Sequence, residues 1–449
     1  MAARAGIEDA VAWVMSIITT VFLAASFLVG SISTTAQAES YARQAATLRV
    51  LPAATAKVVD HVDANQSVAI EESKSGWVRV RMGVDVRGWL PSDVVSDTWI
   101  KVWKRERKLF LMKGDATLRT FRVALGSENP VGQKVKRGDG ATPEGRYFIA
   151  EPDEAPESGR YGARSMRLSY PSVEDARRGL RDRLIDKIAY LGIVKAVRAG
   201  EMPPQHTALG GSIRIHGGGS KHDWTLGCIA LDDEDVVALF EEVGKGTRVD
   251  VYASADDETR LGKVDFVPRA VLAAAKEQIA SSALYTATAM KGIAMDFPGG
   301  DISADQAVCT DIVVRALRSA GLDLQAMVFE DRSLHPERYP GKREAPRTSI
   351  DHRRVGNLVA LLRRLAFAGA VGTAEGLAPG DVVVFDTGIA NGTPFDHIGI
   401  VDDVKDADGK LRAINIWTVG QRTSSMALIG KSYPTVVAWF RLGHPYAYR

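Results

Sequence analysis

At 449 residues the chain is too long for one ordinary domain, and about 150 residues per domain makes three the natural division. Its 45% apolar and 25% charged residues are the balance of an ordinary globular protein and exclude a low-complexity or disordered chain. A net charge of +2, without any Lys/Arg block interleaved with aromatics, excludes nucleic acid as a partner.

From Ala10 to Ala38 there is no charged residue, and the apolar run reaches the length of about 20 residues that a bilayer requires. Ala36-Gln37-Ala38 fits a small-x-small cleavage site, so residues 1–38 are expected to be a cleaved export signal, with membrane attachment through residues 10–30 as the alternative. In either case the remainder is expected to act outside the cytoplasm, in the periplasm or cell envelope.

Residues 45–97 carry short alternating runs, including Leu48-Arg49-Val50-Leu51, Ser67-Val68-Ala69-Ile70, Gly76-Trp77-Val78-Arg79-Val80 and Arg87-Gly88-Trp89-Leu90. Separated by polar turns, they predict a small antiparallel barrel. The paired Gly-Trp elements resemble the bacterial Src-homology-3-like domain, which implies a non-catalytic module that binds wall peptides or serves as a spacer.

Residues 98–253 are mostly strand, beginning with Thr98–Trp103 and Lys108–Met112 and continuing through Arg146–Ala150. A helical insertion is predicted near 173–198, where Leu180, Leu184, Ile188 and Leu191 make a packing stripe. Ser254–Arg260 reads as a polar linker. In residues 262–449, helices predicted near 268–284, from Ala304 or Cys309 to Ala320, and near 353–367 precede strands Asp381–Phe385, His397–Val401 and Ala413–Trp417, an α+β order.

The chain's two cysteines lie in different chemical contexts. Cys228 follows glycine in Thr225-Leu226-Gly227-Cys228, one short loop after His216-Gly217-Gly218-Gly219, whereas Cys309 opens a helical stretch in Val308-Cys309-Thr310-Asp311. A disulfide between them is the plain alternative in an oxidising compartment, but the contexts favour two thiol sites. At the first, His216 is the candidate base for Cys228, and the backbone N–H groups of Gly227 and Cys228 are the candidate oxyanion donors. Loss of one such donor typically costs about 2.7–4 kcal/mol in the barrier.

His216-Gly217 followed by Thr225-Leu226-Gly227-Cys228, supported by Thr142-Pro143-Glu144-Gly145-Arg146-Tyr147 and Leu168-Ser169-Tyr170-Pro171, resembles the L,D-transpeptidase catalytic domain. The resemblance implies that Cys228 attacks the carbonyl of the meso-diaminopimelate to D-alanine bond in peptidoglycan stem peptides. It also implies that carbapenem-type β-lactams acylate this thiol. Tyr170, Gly217, Trp224 and Thr225 are the candidate substrate contacts. The spacer is shorter than in many members, and the basic or amide residue common two positions after the cysteine is Ala230 here. Recognition of the substrate carboxylate is thereby left unassigned, as is the choice between crosslinking transferase and L,D-carboxypeptidase or crosslink-cleaving hydrolase. His206 and His222 read as solvated loop histidines, and Asp223 as a groove-shaping residue.

The order Cys309, then His397, then Asn415 is that of a papain-like cysteine hydrolase, in which the helix N-terminus lowers the thiol pKa and Asn415 orients the imidazole. Pro298-Gly299-Gly300-Asp301, Ile350-Asp351-His352-Arg353, Pro379-Gly380-Asp381 and Asp396-His397-Ile398-Gly399 resemble a bacterial family of unknown function related to NlpC-type cysteine peptidases. The resemblance implies an amidase or endopeptidase acting on wall peptides, or a peptidoglycan-binding module if the site is silent. Asp311 and Asp396 would oppose thiolate formation if they face the site, and His352 reads as a structural or carboxylate contact. No metal or nucleotide motif is present, and neither mechanism requires a cofactor.

Overall fold

The computed structural model describes residues 40–156, 159–263, 265–291, 293–341, 344–428 and 435–443. The expected export signal or anchor at 1–38 lies outside them. Among the described residues no helix is long and apolar enough to cross a membrane.

The first strands are β1 (Ser40–Ala42), β2 (Ala46–Arg49), β3 (Val58–Val62), β4 (Ser67–Lys74), β5 (Trp77–Met82), β6 (Val86–Pro91) and β7 (Val95–Ser96). They form a curled antiparallel sheet in the order β3-β2-β6-β5-β4-β1-β7. In β5, Val78, Val80 and Met82 are buried. The alternate Arg79 and Arg81 point outward toward Glu71. A one-residue slip would bury two guanidiniums, so the alternation sets the register.

The next sheet contains β8 (Thr98–Trp103), β9 (Lys108–Lys113), β10 (Ala116–Arg122), β11 (Gly145–Asp153), β12 (Ser165–Leu168), β13 (Arg214–His216), β14 (Ile229–Ala230) and β15 (Arg248–Tyr252). Its order is β10-β9-β8-β15-β11-β12-β13-β14, which leaves the two short strands β13 and β14 at one edge. Ile100, Val102, Leu111, Ile149, Val249 and Val251 build its core.

The insertion is two helices, α1 (Val173–Arg181) and α2 (Lys187–Ala199). The Ser172 hydroxyl accepts from Asp175 N–H to cap α1, and Asp186 starts α2 afresh. The four-residue stripe therefore does not lie on one helix face. Leu180, Leu184 and Leu191 pack against the insertion's core, but Ile188 is 83% exposed.

The stretch read as a polar linker is instead a helix. After α3 (Asp233–Phe240), Ser254 caps α4 (Ala255–Leu261), and Glu258 accepts from Lys101 Nζ and Trp103 Nε1 of β8. Local charge concealed a capped helix whose inner face is tied to the sheet.

The last part contains α5 (Phe266–Ser281), α6 (Cys309–Ser319), α7 (Leu324–Leu334) and α8 (Val355–Leu365). Its strands are β16 (Ala368–Val371), β17 (Val382–Asp386), β18 (His397–Lys405), β19 (Leu411–Asn415), β20 (Ser424–Ala427) and β21 (Thr435–Arg441), ordered β16-β21-β17-β18-β19-β20. The expected α+β order is present, with α7 as an unanticipated helix capped by Asp323. Val271, Ile312, Leu317, Leu358, Ile398 and Ile414 belong to the shared core between helices and sheet.

Polar contacts join the three parts. Glu330 of α7 is fully buried and accepts from Arg177 Nε at 2.7 Å and Tyr190 Oη at 2.5 Å. Asp60 of β3 meets Arg338 and Arg364. Asp63, Asp331 and His335 place potential ligand atoms within 4.8 Å of one another, but Arg198, Arg338 and the Tyr339 hydroxyl already occupy the two carboxylates. That grouping is an ion-pair network in composition.

Candidate active sites

The first site is built where β13 and β14 run parallel, with Ile215 opposite Ile229 and His216 opposite Ala230. The turn entering β14 needs Gly227: its φ is +119°, and a Cβ there would lie 2.6 Å from the Ala141 carbonyl oxygen. Thr225 Oγ1 stitches the turn by donating to Cys228 O at 2.8 Å while accepting Gly227 N–H at 3.1 Å. This corrects two sequence assignments. Gly227 N–H is engaged inside the turn rather than offered to an oxyanion, and Thr225, buried at 4%, shapes the turn rather than facing substrate. The Cys228 N–H makes no such bond among the described residues and remains the candidate donor.

His216 is buried, with Nδ1 2.6 Å from the Gly217 carbonyl oxygen. Nδ1–H therefore donates to Gly217, leaving the Nε2 lone pair as the acceptor a base requires. Gly217 positions the imidazole, and its own N–H donates to Tyr161 O. Trp224, 37% exposed, sets its ring edge-on to His216 at 5.6 Å and donates to Gly219 O, making it an accessible wall. Asp233 Oδ1 accepts from Ala163 and Gly218 N–H and pins the glycine loop. Asp223 pairs with Arg107 and accepts Leu125 N–H. His206 and His222 are exposed. Tyr170 is fully buried, its hydroxyl donating to Leu209 O, so the ring packs the core and does not contact substrate.

Burial favours the neutral form of both reacting groups. Burial pushes the Cys228 thiol above its ordinary pKa, against the Arg214 N–H and the charges of Arg214, Lys134 and Arg160. Burial likewise lowers the His216 imidazole, against the Gly217 carbonyl. The Cys228 thiol is directed at Ser212 O at 3.7 Å rather than at the imidazole, so the resting site holds no thiolate–imidazolium pair and proton transfer to His216 would have to accompany attack. Arg214 and Tyr161, whose ring lies under the Arg214 guanidinium and meets His216 edge-on, escaped the sequence reading. Position 214, two before His216, carried the signal, because alternate residues of a strand share a face.

In the second site Cys309 is the first residue of α6, which packs on β18. The Ile398 N–H, next to His397, is directed at the Cys309 sulfur. Asn415 hydrogen-bonds His397, and the Trp417 ring stands edge-on to the imidazole at 4.8 Å. Burial opposes the expected thiol activation, pushing Cys309 up to about 12, with the Asp311 charge adding to it. Asp311 itself is held by Arg353 at 2.8 Å and accepts Val308 N–H. Burial lowers His397 to about 4. Asp396 accepts from Thr387 and Asn391 and favours the protonated imidazole. His352 is 2% exposed and is a structural residue, closed to a substrate carboxylate. Tyr285 stands close enough to Cys309 to feel its charge, and it was not singled out in sequence. Both cysteines are free thiols, so the disulfide alternative falls.

Comparison with known proteins follows the same division. Residues 97–251 match the family of the L,D-transpeptidase catalytic domain, and residues 272–441 match a domain of unknown function, DUF1287. The uncharacterized protein YijF of Escherichia coli (strain K12) is 35% identical over 145 residues, covering 31% of this chain and 66% of YijF. An L,D-transpeptidase structure from Xylanimonas cellulosilytica is 15% identical, covering 35% of this chain and 61% of its own, with a TM-score of 0.22. The helical cell shape determining protein Pgp2 from Campylobacter jejuni is 13% identical, covering 74% and 90%, with a TM-score of 0.27. Neither relation to the Src-homology-3-like domain nor to NlpC-type peptidases emerges from these matches. The middle of this chain, residues 97–251, is an L,D-transpeptidase catalytic domain, and residues 272–441 are a DUF1287 domain.

Proposed function

We propose that the protein is an exported cell-envelope enzyme that acts on peptidoglycan stem peptides through an acyl-enzyme on Cys228. The observation that carries this reading is the tie between His216 Nδ1 and Gly217 O, which leaves Nε2 as the proton acceptor on the strand beside the thiol. Attack forms a thioester and expels the amine of D-alanine, which takes the proton from His216. An incoming amine then completes transpeptidation, or water completes hydrolysis, and in either case the thiol is regenerated.

The test is incubation of the protein with disaccharide-tetrapeptide fragments and mass analysis of the products. Release of D-alanine with a crosslinked dimer supports transpeptidation, release without a dimer supports carboxypeptidase action, and no change in any fragment overturns the reading. A carbapenem adduct mapped to Cys228 is expected alongside, and an adduct mapped to Cys309 would count against the assignment.

A second reading concerns Cys309, His397 and Asn415 as a cysteine amidase or endopeptidase in which His397 takes the thiol proton only as attack proceeds. The Asn415 bond to His397 and the Ile398 N–H at the sulfur favour it. Cys228→Ala is expected to abolish chemistry at the third and fourth stem residues, and Cys309→Ala to leave it intact, because separate sites act additively. The 45–97 region is proposed as a Src-homology-3-like wall-binding or spacer module, and residues 1–38 as its export signal.

A further inference from the structure

The Cys228 site lacks a basic residue at Ala230, which is fully buried, yet it has a cation on the neighbouring strand. The β13–β14 register, with His216 opposite Ala230 and Ile215 opposite Ile229, brings Arg214 level with Cys228. Arg214 and His216 are two residues apart on one strand and share a face. The Arg214 guanidinium stacks 4.6 Å from the Tyr161 ring, and the same ring meets His216 at 5.2 Å, so cation and base share one wall.

Arg214 is only 9% exposed, and its Nη1 donates to Ser165 Oγ at 2.7 Å. Its Nε is buried without a partner, and no carboxylate pairs with the guanidinium among the described residues. Lys134, the other buried cation affecting this thiol, is already committed to Asp139 at 2.7 Å. A buried cation held on one face and at one edge, with donors left over, is short of one anion. The planar guanidinium fork matches a carboxylate, which accepts two parallel N–H donors.

We propose that Arg214 is the carboxylate-recognition residue of the Cys228 site, filling from the parallel strand the role that Ala230 leaves open. This rests on the reading of Cys228 as a nucleophile toward stem peptides. The carboxylate is either that of the diaminopimelate side chain or the terminal one of the leaving residue, and both present the same chemistry to the fork.

The test compares the full-length protein with Arg214→Gln and Arg214→Lys on three tetrapeptide substrates. One carries both free carboxylates, one has the diaminopimelate carboxylate amidated, and one has the terminal carboxylate amidated. Arg214→Gln is expected to raise KM about 10- to 100-fold for the free acid with kcat little changed, the range set by a hydrogen-bonded charged group. It should match the wild type on the single amide that removes the bound carboxylate, and that amide identifies which one it is. Arg214→Lys keeps the charge without the fork and should fall between. It decides the question if Arg214→Gln fails to melt as a folded protein. Equal loss on all three peptides, or a loss confined to kcat, overturns the proposal and makes Arg214 a support for Tyr161 or the thiol. Wild-type turnover with KM unmoved in Arg214→Gln overturns this proposal alone, whereas no wild-type turnover of any peptide overturns the parent reading with it.

Discussion

His216 Nδ1 lies 2.6 Å from the carbonyl oxygen of Gly217, and this contact determines which nitrogen of the buried ring can take a proton. Because burial lowers the imidazole pKa, the base stays neutral to lower pH than a solvated histidine. The acid limb of kcat/KM on tetrapeptide fragments is therefore expected below the ordinary value of about 6.5. His216→Gln should lower kcat by about 10²- to 10⁴-fold, the usual contribution of a positioned base. An acid limb above that value would contradict the buried, donor-tied imidazole.

Gly227→Ala is expected to damage the nucleophile turn. The left-handed φ of +119° costs an L-residue about 1–3 kcal/mol, and the new Cβ would meet the Ala141 carbonyl at 2.6 Å. Thermal melting should fall, and acylation of Cys228 by a carbapenem should slow beyond the loss of folded protein. Unchanged acylation would show that the turn tolerates the side chain without moving the thiol.

Cys309 should be a sluggish thiol in the resting protein. With its pKa pushed up to about 12, iodoacetamide labelling of the Cys228→Ser protein at pH 8 is expected to run about 10³-fold slower than that of an ordinary thiol near 8.5. Labelling at the ordinary rate would mean that the thiolate is preformed, as the helix N-terminus alone would suggest.

Acid should destabilise the fold through its buried neutral histidines. Burial holds His352 at about 3 and His397 at about 4. In the unfolded chain both bind protons below about 6.5, so their contribution is complete above that value and is lost as pH falls toward 4 and then 3. Denaturant midpoints at pH 7 and pH 5 should differ less in His352→Gln than in the wild type. An equal pH difference in both proteins would remove His352 from the account.

Glu330 joins the insertion helices to the DUF1287 domain. Burial alone would raise its carboxyl, but Arg177, Arg198 and the Tyr190 hydroxyl hold it below the ordinary carboxylate range. Glu330→Gln leaves buried Arg177 with only the part-exposed Glu174 as a charge partner and should cost up to about 3–5 kcal/mol, the usual penalty for removing one member of a buried pair. Denaturant unfolding followed by tryptophan fluorescence measures it. A loss below about 1 kcal/mol would place the pair among those that contribute little.

Much of this molecule is written locally. Alternating Val78, Val80 and Met82 against Arg79 and Arg81 specify a strand and its inward face without reference to the rest of the chain. His216-Gly217 followed by Thr225-Leu226-Gly227-Cys228 likewise carries the resemblance to the L,D-transpeptidase catalytic domain that residues 97–251 match, whereas a thiol, a base and a glycine turn by themselves point only to thiol acyl transfer. Other features depended on distant partners. The charged run Ser254–Leu261 is a helix because Glu258 finds Lys101 and Trp103 far upstream. Ile188 is exposed because Asp186 interrupts a stripe that was continuous only on paper. Packing removes water from the thiols and so favours their protonated form, because desolvation outweighs the donors that sequence could suggest. Arg214 stands beside Cys228 because β13 and β14 pair in parallel, and hydrogen-bond register between separated strands is a property of the assembled sheet.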